Sequence, residues 1–395
     1  MKHSVNKQIK GKTMKNKLLL STALIGSIVV ADLALAQTTV TGNLAINYRA
    51  QENKTAAAGS AASTRGFGRE SQVNIQNKGK LNNGMDYAAG FSLEFDGNNR
   101  APAAIGGTTQ GQQREADTIS NENLYVNLIS GTTTFHIGVD HIQNITSDVT
   151  PMVLPLMDNV AAGIGAKATN AVGANPKEAF GFGIIQAIPG SGITASALYV
   201  PRNADFGNGD QTSPANCINT ATTTSIVNTG AVTVGCRNSA YEVGLVGADA
   251  FGIKGLGFRA FKNKEDAQTS AVADLDGDKY GISYRTGPFA VGVERMTQNR
   301  TSGDAVASGA DKEQKSVQYG VTYAVNNNVS IGLVRAETEL DVVNTKEEKI
   351  TSAQIGYNLG PVAIAAAVSK VEDLGASTVA GTESKEIQFR ITTAF

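Results

Sequence analysis

From Gln37 to the last residue, the chain is dominated by a strict alternation of apolar with polar or small side chains. Tyr319, Val321 and Tyr323, for example, are separated by Gly320 and Thr322. A period of two residues gives each such segment one apolar and one polar face, which predicts β-strands. We find no helical stripe of comparable strength, so the sequence predicts an all-β chain.

The alternating segments average about ten residues, close to the roughly 9–11 that a tilted strand needs to cross a bilayer. There are sixteen of them: 37–50, 69–78, 85–95, 119–129, 133–139, 178–188, 193–200, 239–250, 256–263, 278–285, 289–297, 315–325, 329–337, 350–359, 362–371 and 385–395.

The connections between these segments alternate in length without exception. The seven short connections are rich in Gly, Asn and Pro, as tight hairpins require: 79–84, 130–132, 189–192, 251–255, 286–288, 326–328 and 360–361. In an up-and-down sheet this alternation places all long loops at one end. Outer-membrane barrels have long external loops and short periplasmic turns, whereas a soluble sandwich has no reason for this asymmetry. We therefore predict a transmembrane antiparallel β-barrel of 16 strands in a single domain, 37–395.

Composition excludes several other classes of protein. Hydrophobic residues make up only 41% of the chain, which fits strands whose polar face lines a water-filled lumen. Lys+Arg (34) and Asp+Glu (35) balance, so no basic field indicates nucleic acid. There are three histidines and no G-x-S-x-G motif. We predict no enzyme, no metal and no cofactor.

Residues 1–36 have the layout of a secretory signal peptide with an upstream extension. A basic start from Met14 to Lys17 precedes an apolar stretch, and Ala34-Leu35-Ala36 forms a cleavage site. The alternatives are an uncleaved anchor or a buried helix. The segment carries six Lys and one Asp, so cleavage after Ala36 changes the net charge from −1 to −6.

Several segments of the mature chain resemble the general porins of Gram-negative bacteria, the sixteen-stranded trimeric type. Residues 37–42 resemble the family's first strand, and residues 124–140 its strand-turn-strand before the long third loop. Phe395 resembles the family's terminal outer-membrane assembly signal, with Phe389 and Ile391 in phase. The resemblance covers all of 37–395. Unlike the family, the chain has no Trp and no dense arginine cluster on strands two to four.

This resemblance implies a water-filled channel in the outer membrane for passive diffusion of small hydrophilic solutes and ions. It further implies a homotrimer surrounded by outer-membrane lipid and lipopolysaccharide, inserted by the outer-membrane assembly machinery. The alternatives are a substrate-selective outer-membrane channel and a secreted β-rich adhesin or structural protein.

Loop 140–177 resembles the porin loop that folds into the barrel and narrows it; the alternative is a loop packed on the rim. It contains an apolar stretch, 151–158, and its carboxylates Asp148 and Asp158 are candidates for the constriction. Strand parity points four arginines inward: Arg49, Arg259, Arg285 and Arg390. They are candidates for the positive charges that face these carboxylates across the constriction; the alternative is that they are ordinary solvated residues of the lumen. The net charge of the mature chain predicts a modest cation preference.

Two further features lie in loops. Cys217 and Cys236 in the fourth long loop are expected to form a disulfide in an exported protein, with two free thiols as the alternative. The segment 274–278 carries three alternating Asp residues, and a polar hairpin tip is favoured over a calcium loop because no distal Glu follows at the required spacing.

Overall fold

Sixteen antiparallel strands form one closed barrel. The computed structural model describes residues 37–54, 62–97, 119–138, 181–201, 237–267, 274–301, 313–341, 346–373 and 383–395. The strands are β1 Gln37–Lys54, β2 Ala62–Lys80, β3 Asp86–Gly97, β4 Ile119–Ser130, β5 Thr133–Gly138, β6 Gly181–Ile188, β7 Ile193–Val200, β8 Arg237–Ala248, β9 Leu256–Ala267, β10 Asp274–Thr286, β11 Phe289–Thr301, β12 Glu313–Ala324, β13 Val329–Leu340, β14 Glu348–Leu359, β15 Val362–Glu372 and β16 Glu383–Ala394.

Each strand pairs with its neighbours in sequence, and β16 returns to pair with β1. In this closing pair Tyr48 lies opposite Phe389, and Gly42 and Phe395 exchange two backbone hydrogen bonds of 2.9 Å. Closure pairs every strand on both sides, which a bilayer requires because its core offers the backbone no water. The prediction of a sixteen-stranded antiparallel barrel is confirmed. Among the residues that the structure describes, none forms a helix long and apolar enough to cross a membrane.

The short turns all lie at one end of the barrel. Gly131 and Gly360 adopt left-handed φ angles of 59° and 67°, which glycine tolerates without strain. In the longest of these turns a short 3₁₀ segment, Ala250–Gly252, follows β8, and Asp249 accepts a hydrogen bond from the backbone N–H of Gly255 at 2.6 Å. The other ends of the strands lead into the long connections.

At the long-loop end several strands begin earlier than the alternation indicates, and the difference is largest for β2 and β10. β2 starts at Ala62 rather than at 69, and β10 starts at Asp274 rather than at 278. The prediction of a hairpin tip at 274–278 is therefore wrong, because these residues pair with β11. The side chain of Asp276 accepts a hydrogen bond from Asn299 at 3.0 Å. In the part of the chain that the structure describes, no group of His, Cys, Asp or Glu is placed to hold a metal ion.

Candidate functional site

The two faces of the barrel wall have opposite character. The outward face carries exposed apolar side chains such as Val243, Ile282, Leu333 and Ile355. The inward face carries mostly polar side chains, many of them buried, among them Gln318. A polar lumen inside an apolar exterior is the arrangement of a membrane channel and the reverse of a soluble barrel.

Two of the four predicted arginines lie on the inner wall where β16, β1 and β2 meet. Arg49 lies opposite Gln388 and its guanidinium reaches diagonally to the Glu386 carboxylate at 2.5 Å. Arg390 is 3.8 Å from the carboxylate of Glu70 on β2. Each arginine therefore has a carboxylate partner on a neighbouring strand or one strand beyond.

A second charged cluster lies on β9, β10 and β11. Arg259 on β9 and Glu294 on β11 both lie opposite Gly281 on the strand between them. Because Gly281 has no side chain, the guanidinium of Arg259 can pass over β10 and form an ion pair with Glu294. Lys279 Nζ is 3.3 Å from the same carboxylate. The charged side chains of this cluster are 0–2% exposed.

The two clusters lie on opposite sides of the barrel. β1 and β9 are eight positions apart in a ring of sixteen strands, so the clusters lie on opposite walls. In both, arginine is compensated by glutamate within the wall. These arginines therefore do not form a continuous strip of positive charge along the inner surface.

Arg285 lies elsewhere on the wall. It is the penultimate residue of β10, opposite Ala290, and its backbone N–H donates to Gly255 in the adjacent short turn at 2.9 Å. Parity places its side chain inward, but at the short-turn mouth and well below the level of Arg49.

A hydrogen-bonded polar group covers the inner wall of β2 to β5. Tyr125 lies beside Gly90 and contacts Gln76 on the far side of that glycine. His136 Nδ1 is 2.7 Å from Asn127 Oδ1, and the imidazole stacks on Tyr125 with ring centroids 6.3 Å apart. The absence of a side chain at Gly90 thus lets the Tyr125 ring lie flat against the wall.

Lys279 and Glu294 were not among the residues predicted from the sequence, although strand parity places both inward, as it does Arg259. The missing information was the register, which decides which inward residues meet. The glycine at position 281 was the available signal, since a residue without a side chain between two long charged ones permits a contact across a strand.

Several predicted site residues lie outside the described residues. These are the candidate constriction loop 140–177 with Asp148 and Asp158, the cysteines Cys217 and Cys236, and the predicted signal segment 1–36.

Comparison with known proteins agrees with this geometry. A family model for the Gram-negative porin matches residues 21–378. An anion-selective porin from Comamonas acidovorans superposes with a TM-score of 0.58 at 16% identity, covering 91% of this chain and 100% of that one. OmpF of Salmonella typhi, in complex with daunomycin, superposes with a TM-score of 0.58 at 10% identity, covering 91% of this chain and 97% of that one. Outer-membrane OmpT of Vibrio cholerae superposes with a TM-score of 0.55 at 10% identity, covering 93% of this chain and 100% of that one. No curated protein sequence matches the chain.

Proposed function

Because this chain belongs to the Gram-negative porin family, it is an outer-membrane channel for passive diffusion, and we propose that it conducts small hydrophilic solutes and ions with weak selectivity. The observation that carries the proposal is the pairing of wall arginines with wall glutamates. Arg49, Arg259 and Arg390 each have a glutamate within 4 Å. Opposite charges held this close leave only a short-range field in a wet lumen, and salt screens it further. The family and the fold indicate a channel rather than an enzyme.

With these three arginines paired, the sign of the selectivity depends on the remaining charges of the lumen. The mature chain that we propose carries a net −6, and Asp148 and Asp158 lie on the loop that we propose narrows the lumen. We expect a modest cation preference in reversal potentials across a salt gradient. The preference should grow below about 0.1 M salt, where the Debye length exceeds roughly 10 Å.

Asp158→Asn tests the role of the loop in this preference. The variant should shrink the cation preference, because it removes one carboxylate from the narrowest part of the path. Asp341→Asn, an exposed carboxylate at the end of β13, is the matched control and should leave the reversal potential unchanged. Anion selectivity of the parent, or equal behaviour of the two variants, contradicts the proposal.

A substrate-selective channel would behave differently from a weakly selective pore. Conductance, or uptake into vesicles, would saturate with one class of solute and be inhibited by it. A weakly selective pore should instead pass sugars and amino acids of equal size at similar rates, in proportion to their concentration gradients.

We further propose that the barrel is a homotrimer that associates through the outer face of β1 to β6. Near the short-turn end this face carries polar side chains that form hydrogen bonds between neighbouring strands. The Tyr87 hydroxyl donates to Asn77 at 2.6 Å, and Asn77 donates to Thr38 at 2.9 Å. Ala89 opposite Asn77 adds a small side chain. Polar and small outward residues fit a protein neighbour better than acyl chains.

The trimer is tested by native mass in mild detergent. We expect three subunits for the parent, and a shift toward one subunit for Ala89→Trp with single-barrel conductance retained. Ala353→Trp, a small outward residue on β14, should leave the trimer intact. A parent mass of one subunit contradicts the assignment.

Export completes the proposal. We propose that residues 1–36 are removed on secretion, which is supported by the basic start, the apolar stretch and the Ala34-Leu35-Ala36 site of the sequence. N-terminal sequencing of the outer-membrane protein should return Gln37 as the first residue.

A further inference from the structure

Two cations lie on the inner wall at the short-turn mouth of the barrel. Lys78 is the third residue from the end of β2, and it lies directly opposite the buried Ala88 on β3. Arg285 is the penultimate residue of β10, directly opposite the buried Ala290 on β11. Because β2 and β10 are eight positions apart in the ring of sixteen strands, the two cations lie on opposite sides of this mouth.

Neither of these cations is compensated by a carboxylate. Among the residues that the structure describes, no Asp or Glu forms an ion pair with Lys78 or Arg285. By contrast Lys80, the next inward residue of β2, forms an ion pair of 2.6 Å with Asp86. The turn between β8 and β9 adds one Asp and one Lys, which balance each other. The described side chains of this mouth therefore carry two positive charges in excess.

The inner wall farther from this mouth has the opposite sign. In the two charged clusters described above, four cations meet three glutamates, which leaves one positive charge in excess. Parity places three further carboxylates inward, in the halves of their strands nearer the long loops: Glu94, Glu242 and Glu348. Among the side chains that the structure describes, four positive and six negative charges give this part of the wall a net charge of −2.

Two zones of opposite sign therefore follow each other along the lumen. Arg285 lies four residues along β10 from Gly281, the level of the Arg259–Glu294 pair, which is about 13 Å at roughly 3.3 Å per residue. At about 0.1 M salt the Debye length is roughly 10 Å, so each zone acts on the ions next to it without cancelling the other. In water, a unit charge about 10 Å from the path of an ion changes the local ion concentration about twofold before screening.

We propose that Lys78 and Arg285 make the periplasmic mouth an entrance that attracts anions, and that the channel therefore conducts unequally in the two directions. When the long-loop side is positive, cations enter through the acidic zone and anions through the basic mouth, so both carriers accumulate in the lumen. The opposite voltage draws each carrier in through the zone that repels it and depletes the lumen. The inference rests on the proposed channel function, and it concerns the two ends of the lumen rather than the overall selectivity.

Single-channel currents at about 100 mV of either sign, in about 0.1 M KCl, measure this asymmetry. An epitope tag inserted in turn 326–328, detected by an antibody added to one chamber, assigns the orientation of the channel. The current with the long-loop side positive should be roughly 1.5 times the current at the opposite voltage. In about 1 M KCl the ratio should fall to about one, because the Debye length there is only about 3 Å.

Three variants identify the charges that cause the asymmetry. Lys78→Gln combined with Arg285→Gln should bring the ratio to about one at about 0.1 M salt, with the conductance of the parent retained at about 1 M. Asp86→Asn removes the partner of Lys80 and should raise the ratio above that of the parent. Lys315→Gln removes a cation from the outer face of β12, and this matched control should keep the ratio of the parent.

The outcomes separate this inference from the channel itself. A conducting parent with equal currents in both directions, or with the larger current in the opposite direction, overturns the inference and leaves the channel in place. An unchanged ratio in the double variant, or an equal loss in Lys315→Gln, shows that Lys78 and Arg285 are not the cause and overturns it as well. A parent that conducts no ions contradicts the proposed function, and this inference with it.

Discussion

Glu294→Gln is expected to lower the free energy of unfolding of the barrel by about 3–5 kcal/mol, the usual cost of removing one partner from a buried charge cluster. Glu294 is the carboxylate that both Arg259 and Lys279 contact, and all three side chains are 0–2% exposed. The amide keeps the shape of the carboxylate but leaves two buried cations without its charge. Urea unfolding in detergent micelles, followed by the heat-dependent shift on a gel, measures the loss.

Two further variants decide whether charge is the cause. Adding Lys279→Met to Glu294→Gln removes one of the two cations and should restore part of the lost stability. Glu313→Gln breaks the exposed pair with Lys315 and should cost less than about 1 kcal/mol. In the folded fraction, Glu294→Gln should also move the reversal potential toward anions, since it adds one positive charge to the wall. A stability equal to that of the parent would show that the cluster is hydrated and weakly coupled.

The sequence predicts the membrane-spanning part of this barrel well for a physical reason. Between lipid and water each strand must be apolar on one face, so residues such as Val291 and Val293 mark a strand whatever their partners are. The turns follow from the chain reversal, which selects residues such as Gly131 that accept a left-handed φ. Strand number, order and the asymmetry of the ends are therefore all predictable.

Beyond the apolar band the same reasoning fails. The first residues of β2 and β10 pair with their neighbours but are mostly small or polar, and the sequence Asp274-Leu275-Asp276 is typical of a loop. Water satisfies side chains on either face there, so alternation carries no information. Only backbone pairing with the adjacent strand shows that such a segment is extended.

The sequence predicts which residues of the candidate site point into the lumen, but not which of them contact one another. Parity correctly places Arg49, Arg259 and Arg390 inward. Whether they are compensated depends on the register between strands, which brings Arg259 and Glu294 to the same level through Gly281. The pattern of a single strand carries no information on register, so the ion pairs between arginine and glutamate on the wall are seen only in the three-dimensional structure.

Gly42→Leu is expected to reduce the amount of folded barrel several-fold, because the outward side of Gly42 is filled by the ring of Phe395. A Cβ atom at position 42 would lie 2.3 Å from the ring carbon Cζ of Phe395, well inside contact distance. The ring of Phe395 therefore already covers the outer side of Gly42. Overpacking of this kind costs about 1–3 kcal/mol. Here it falls on the β1–β16 seam that closes the barrel.

A double-mutant cycle isolates this contact. Phe395→Ala alone should also lower the folded amount in the outer membrane, because it removes the ring from the seam. In the Phe395→Ala background Gly42→Leu should cost less, since the clash with the ring is gone and the close contact with the Gln72 carbonyl oxygen at 2.8 Å is what remains. Ala353→Leu, at an exposed outward position on β14, introduces the same side chain without a facing ring and should be tolerated. Strictly additive effects of Gly42→Leu and Phe395→Ala would show that the two residues act independently, Phe395 as a recognition signal during assembly and Gly42 for another reason.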